Sequence, residues 1–235
     1  MPKRVILFSG ASAVGKTAVL KHLLPLLKQA KASPCVCKID CLQTNDGQVF
    51  DALSIPHVTG LSKDICPDHF LVSNLPELWA WSDQLQAQTL VIETAGLCHR
   101  CSPATQSMAA GCVLDCTASC KALGQLGPML GQADFVVLTK VDMVSQAELE
   151  ILAWQIKAIN PAAQLFFVDG LAGYGVDLLA AWLLDRPEIA SFEGDSLRHS
   201  MPSGVCSYCV GECRVGSAFQ QGVIGKIDFG KEPAR

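Results

Sequence analysis

Apolar residues fall along this chain in short unbroken runs separated by longer amphipathic stretches. Runs at 4–8, 35–40, 89–93, 112–115, 135–138 and 165–168 are rich in Val, Ile, Leu and Phe. Runs of that length with little polar alternation predict strands buried on both faces. Between them, 17–29, 145–159 and 176–184 carry apolar residues at helical spacing. Ser145 with Glu148 three positions on has the capping-box pattern of a helix start. Pro25 predicts a kink or early stop in the first helix. Strands alternating with helices predict an α/β fold, a mostly parallel sheet covered by helices on both faces. After residue 184 the pattern stops. A main domain is therefore expected over 1–185, a polar linker over 186–203 and a small cysteine-rich tail over 204–235.

Composition narrows the class. A chain of 235 residues with 50% hydrophobic and 17% charged residues has enough apolar material for one sizeable core, which excludes a disordered protein. Its net charge of −4 argues against a life spent gripping nucleic-acid phosphates. The start resembles an export signal, with a basic tip and an apolar run. That run is short and leads directly into Gly15-Lys16-Thr17, so it is assigned to a first strand. No uncharged apolar stretch is long enough to span a membrane. A cytoplasmic, reducing setting is expected, in which the 12 cysteines are thiols suited to metal or Fe–S iron.

Three ordered elements point to a nucleotide. Gly10-Ala-Ser-Ala-Val-Gly15-Lys16-Thr17 fits G-x-x-x-x-G-K-[ST], directly after a strand and before a helix. Its glycines let backbone N–H groups turn toward phosphates, Lys16 reaches the outer phosphates, and the Thr17 hydroxyl suits Mg²⁺. Ala13 and Ala18 flank these contacts. Leu90-Val-Ile-Glu93-Thr94-Ala95-Gly96 ends an apolar strand in a carboxylate able to hold Mg²⁺ or its water, with a glycine placed to sense a γ-phosphate. Thr139-Lys140-Val141-Asp142 ends another buried strand. Its carboxylate can pair with the two donors of guanine, which adenine lacks, while Lys140 covers the base. GTP is expected over ATP.

Together these elements resemble the SIMIBI-class P-loop GTPases, in particular the metal-chaperone branch that includes the urease accessory GTPase, the hydrogenase nickel-insertion GTPase and CobW-type proteins. The resemblance covers about residues 4–184. Its hallmark Walker B glutamate corresponds to Glu93, followed by Gly96. It implies Lys16, Asp40 and Glu93 as catalytic groups, Asp40 being the switch acid. Thr59-Gly60 leads to Cys66-Pro67-Asp68-His69 where the branch carries a metal-binding cysteine motif. The sequence departs from the branch in Asp68, which separates Pro67 from His69, in Ala13 for a glycine, in Thr139 for the commoner Asn, and in the added Cys98-His-Arg-Cys101.

Cys66 and His69 give two ligands on a loop, too few for a closed site, so two copies across a two-fold axis are expected to complete it. Cys98 and Cys101 lie in the stretch that moves between nucleotide states, where bound metal would couple to the γ-phosphate. Cys206, Cys209 and Cys213 sit among glycines without apolar periodicity and suit an Fe–S cluster or zinc, with Cys98, Cys101 or water as a fourth ligand. Cys35, Cys37, Cys112 and Cys116 are expected in the core. The resulting expectation is a GTP-binding, slowly GTP-hydrolysing homodimer that delivers a transition metal (nickel or zinc) or a cluster to a client metalloprotein. The alternatives are an ATP-driven reductive activator with an Fe–S cluster and a cysteine-rich metal store or sensor.

Overall fold

The structure, a computed structural model, describes residues 1–43, 46–95, 101–118, 120–200 and 211–230. Its strands are β1 (Arg4–Ser9), β2 (Pro34–Asp40), β3 (His57–Leu61), β4 (Thr89–Glu93), β5 (Ala109–Asp115), β6 (Phe135–Thr139) and β7 (Gln164–Val168). They form one sheet in the order β3-β2-β4-β1-β5-β6-β7, with every neighbouring pair parallel. The six apolar runs are six of these strands, each within a few residues of its expected ends. The seventh, β3, lies at the sheet edge with only alternate residues buried.

The helices are α1 (Lys16–Gln29), α2 (Gly47–Ala52), α3 (Pro67–Gln84), α4 (Gly127–Gly131), α5 (Gln146–Ile159) and α6 (Val176–Leu184). Because side chains alternate along each strand, every central strand feeds two cores. Ile6, Phe8, Val36 and Val91 pack with Leu20, Leu23 and Leu27 of α1 and Leu179 of α6. Val5, Leu7, Cys37 and Ile92 face the other way, onto Leu71, Leu75 and Leu78 of α3. Cys112, Leu114 and Val136 meet α4 and α5. Gly111 is required where β5 passes β6, since a Cβ there would lie 2.2 Å from the Phe135 ring. No helix among the described residues is long and apolar enough to cross a membrane.

Three local expectations are corrected. Pro25 does not stop α1, which continues to Gln29. The buried face of Leu20, Leu23, Leu24 and Leu27 holds the helix together across the proline. Cys66 and His69 are not on a loop. Cys66 caps the N-terminus of the 18-residue α3, Pro67 opens it and His69 lies in its first turn. The stretch expected as a polar linker is pinned to the domain: Ile189 bridges Lys3, Leu197 bridges Thr105, and Phe192 is buried against Trp79.

Residues 211–230 then run across α3. Asn74 donates to the Gly225 carbonyl and accepts from the Ile227 N–H, and Gln220 and Lys226 both donate to the Ser73 carbonyl. These contacts satisfy polar groups that would otherwise be stranded on a buried helix face.

Candidate functional site

The C-terminal ends of β1, β2 and β4 open into a cleft of about 400 Å³ lined by Ala13, Lys16, Thr17, Ala18, Lys38, Asp40, Asp46 and Glu93. It lies beside β1, where successive connections depart in opposite directions, the usual place for a ligand in a parallel sheet. The loop between β1 and α1 is curled by residues in left-handed conformations: Gly10 at φ +142°, Ala13 at +61° and Gly15 at +94°. A Cβ on Gly10 would come within 2.4 Å of the Val113 carbonyl oxygen. Ala13 shows why a glycine suits its place, since an L side chain is disfavoured there.

Lys16 folds back onto its own loop, donating to the carbonyls of Gly10 at 2.8 Å and Ala11 at 2.7 Å. Burial lowers its pKa, because the charged form is poorly solvated. Thr17 donates to Glu93 Oε1 at 2.8 Å and lies 3.2 Å from Asp46 Oδ2. Lys38, directly across from Glu93 in the β2–β4 register, places its ammonium 2.7 Å from Glu93 Oε1, 2.7 Å from Asp46 Oδ2 and 3.4 Å from Thr17 Oγ1. Burial disfavours the Lys38 charge, but Glu93 and Asp46 outweigh it and raise its pKa. Asp40 lines the same cleft, its carboxylate accepting from the Cys41 N–H.

A cation, the Lys38 ammonium, already sits among a P-loop hydroxyl and two carboxylates, while the buried Glu93 Oε2 has no partner among the described residues. This oxygen set fits Mg²⁺, which favours hard oxygen donors. Thr17, Asp46 and Glu93 are the residues that would hold it. Lys38 and Asp46 were missed in the sequence. A lysine inside an apolar strand was the available signal for Lys38; Asp46, six residues beyond Asp40, had none.

Thr139 is buried and donates to the Val14 carbonyl at 2.7 Å, tying β6 to the P-loop. Lys140, in the left-handed region, pairs with Asp115, whose carboxylate also accepts from the Thr117 N–H and hydroxyl. Burial opposes ionisation of Asp115, but those donors prevail and lower its pKa. Asp142 lines a neighbouring cleft of about 430 Å³ with Val141, Phe167, Asp169 and Tyr174. Gly96 lies outside the described residues.

A second cluster lies at the start of α3. Ligand atoms of Cys66, Asp68 and Cys101 all lie within 4.8 Å of one another. The Cys101 thiol is 3.4 Å from Asp68 Oδ2 and also donates to Cys66. That bond, against burial and with help from the His69 and Asp68 N–H groups at the helix start, depresses the Cys66 thiol to about 5. Burial, then the nearby Cys66 charge, raises Asp68 to about 7. Cys66, half-buried, and Asp68 and Cys101, both buried, thus offer two sulfurs and a carboxyl to one cation. The spacing of the donors suits a metal with bonds of about 2.3 Å to sulfur.

His69 is turned away from this cluster. Its Nε2 lies 3.0 Å from the Val223 carbonyl and its Nδ1 3.3 Å from Glu212 Oε2. Burial disfavours its cation, but Glu212 prevails and raises the His69 pKa. Cys213 is exposed, its thiol donating to the Gly211 carbonyl. Cys98, Cys206 and Cys209 lie outside the described residues. Cys35, Cys37, Cys112 and Cys116 are buried, with their thiols pushed up, to about 12 for Cys35 and Cys112 and about 11 for Cys116.

Residues 4–167 match the CobW/HypB/UreG nucleotide-binding domain. An uncharacterised protein of Methanocaldococcus jannaschii is 40% identical over 225 residues, covering 96% of both chains. Urease accessory protein UreG 2 of Streptomyces griseus is 27% identical over 77% of this chain and 86% of its own. Among solved structures, hydrogenase maturation factor HypB from Archaeoglobus fulgidus superposes with a TM-score of 0.63 at 17% identity, over 77% of this chain and 89% of that one. HypB from Helicobacter pylori in complex with nickel gives 0.63 at 18%, over 81% and 92%. The chain belongs to the CobW/HypB/UreG nucleotide-binding domain family.

Proposed function

We propose that this protein is a slow GTPase that takes up a soft transition metal, nickel or zinc, and passes it to a client metalloprotein. The observation that carries this reading is where the thiol cluster lies. Cys66 follows β3, which is paired to the strand of Asp40. Cys101 follows β4, which ends in Glu93. The Cys101 segment starts in the nucleotide cleft at Glu93–Ala95, the Cys66 segment starts at Leu61 beside Asp40 of that cleft, and their donors meet in one ligand set. A change at Glu93 or Asp40 would be felt in the spacing of the donors, and so in the grip on the metal. The nickel-bound HypB of Helicobacter pylori, a structural neighbour, supports a metal cargo.

In the cleft, Lys16 is positioned to leave its loop carbonyls for phosphate oxygens, and the P-loop N–H groups receive the remaining charge. Mg²⁺, when bound, neutralises charge on the phosphates. Glu93 Oε2, buried and without a partner among the described residues, is an acceptor available to orient a water. Asp142 offers the carboxylate for guanine. Three metal donors come from one chain, so a second copy is not needed to assemble them. We assign the fourth position to the client, which allows ligand exchange during transfer.

Two measurements test this. Asp142→Asn should weaken GTP binding and improve binding of xanthosine triphosphate, and equal wild-type affinity for ATP and GTP would refute the base assignment. Cys66→Ser should lose bound nickel or zinc and keep GTP affinity. Unchanged metal content in that variant would refute the cargo site.

A further inference from the structure

Lys38 breaks the pattern of its strand. Its neighbours Cys37 and Ile39 are fully buried apolar groups, and Lys38 itself is 6% exposed. A lysine ordinarily extends its ammonium to water. This one points inward, into the cluster of Thr17, Asp46 and Glu93. Burying a charge is costly unless its partners are in place, and Glu93, 1% exposed, faces the same cost. Each ion is therefore held by the other. The ammonium and the expected divalent cation share the same three oxygen donors and cannot both use them.

We propose that Lys38 is an internal counter-cation that closes the divalent-cation cradle until nucleotide arrives, so that cation and nucleotide enter as a pair. The proposal rests on the nucleotide-hydrolase reading above and concerns the regulation of that site. In the nucleotide-free protein the Lys38 ammonium neutralises Glu93 and Asp46. Phosphate groups entering beside Lys16 offer Lys38 another anion, and the two carboxylates are released to a divalent cation. Binding of cation and nucleotide is then mutually reinforcing, as linkage requires. Glu93 Oε2, buried and without a partner among the described residues although Oε1 is doubly engaged, is the part of the cradle left for the incoming cation or its water.

The test is Mn²⁺ binding followed by electron paramagnetic resonance on the full chain. Mn²⁺ prefers oxygen donors and so avoids the thiol cluster. Nucleotide-free wild type should bind Mn²⁺ weakly, and GDP should tighten that binding by about tenfold or more. Lys38→Met should bind Mn²⁺ without nucleotide about tenfold more tightly than wild type, and GDP should then add little. Lys38→Arg should keep the block. Equal Mn²⁺ affinity of nucleotide-free wild type and Lys38→Met would overturn the proposal. So would tight Mn²⁺ binding by wild type without nucleotide, a result that stands even if the variant does not fold. A fluorescent GDP titration on the same samples separates the two readings. Absence of GDP binding removes the hydrolase reading, while the nucleotide-free comparison still decides the role of Lys38.

Discussion

Cys66 should react as a thiolate at a pH where ordinary cysteines are silent. Its thiol is depressed from 9.0 to about 5 by the Cys101 donor and by N–H groups at the start of α3. At pH 7 the thiolate fraction rises about a hundredfold over an ordinary thiol, yet a thiolate of lower pKa is a weaker nucleophile, by about 40- to 100-fold over this range. The two effects nearly cancel, and alkylation at pH 7 should look unremarkable. At pH 6 the fraction gained is about 900-fold, so Cys66 should be alkylated roughly 10- to 20-fold faster than an ordinary thiol. The assay is iodoacetamide labelling of the metal-free protein between pH 4 and 9, read for the Cys66 peptide by mass spectrometry. The rate should rise through an inflection near 5, and Cys101→Ala should move that inflection upward. A Cys66 inflection at 8 or above in the metal-free protein would refute the reasoning.

Three further outcomes follow from particular contacts. Asp68 is raised to about 7, so the stability tied to its protonated form is complete below its ordinary value of 3.8 and lost as pH rises through 7. Metal-free Asp68→Asn should therefore match wild type at pH 4 and exceed it by about 2–4 kcal/mol at pH 8, read from denaturant unfolding. Its metal affinity should fall. Thr139→Val removes the hydroxyl that bonds the Val14 and Leu114 carbonyls and should cost about 1–2 kcal/mol, with weaker nucleotide binding in a titration. Gly111→Ala drives a methyl into the Phe135 ring and should cost about 1–3 kcal/mol in thermal or denaturant melts.

What could be read from the sequence divides along physical lines. Strands β1, β2, β4, β5 and β6 were legible because interior parallel strands are buried on both faces and leave continuous apolar runs, and β7, though an edge strand, carries the apolar run Leu165–Val168. Strand β3 hid because its five residues include His57, Thr59 and Gly60 and so leave no apolar run. That glycine admits Ile39, Phe70 and Ile227, any of which a Cβ would crowd at under 3 Å. Helix α3 hid because its buried positions include Asp68, His69, Ser73 and Asn74. Their partners are residues 101 and 212–227, distant in sequence, so no local periodicity marks them. In the same way Thr17 and Glu93 were visible as motif positions. Lys38, Asp46 and Asp68 acquire meaning only when the sheet brings them to those groups.

The sheet order also governs how the chain emerges during synthesis. Among the described residues the strand partners of β1 are β4 and β5, both made after residue 88. At about 5–20 residues per second, the interval from Ser9 to Thr89 is about 4–16 s of translation. Throughout that time the newborn P-loop has no neighbouring strand to hold its curl. Phosphate binding is therefore an ability that the nascent polypeptide gains late, after most of the left half of the sheet has been made. A stall or truncation before residue 93 would leave the most recognisable stretch of this sequence without its function.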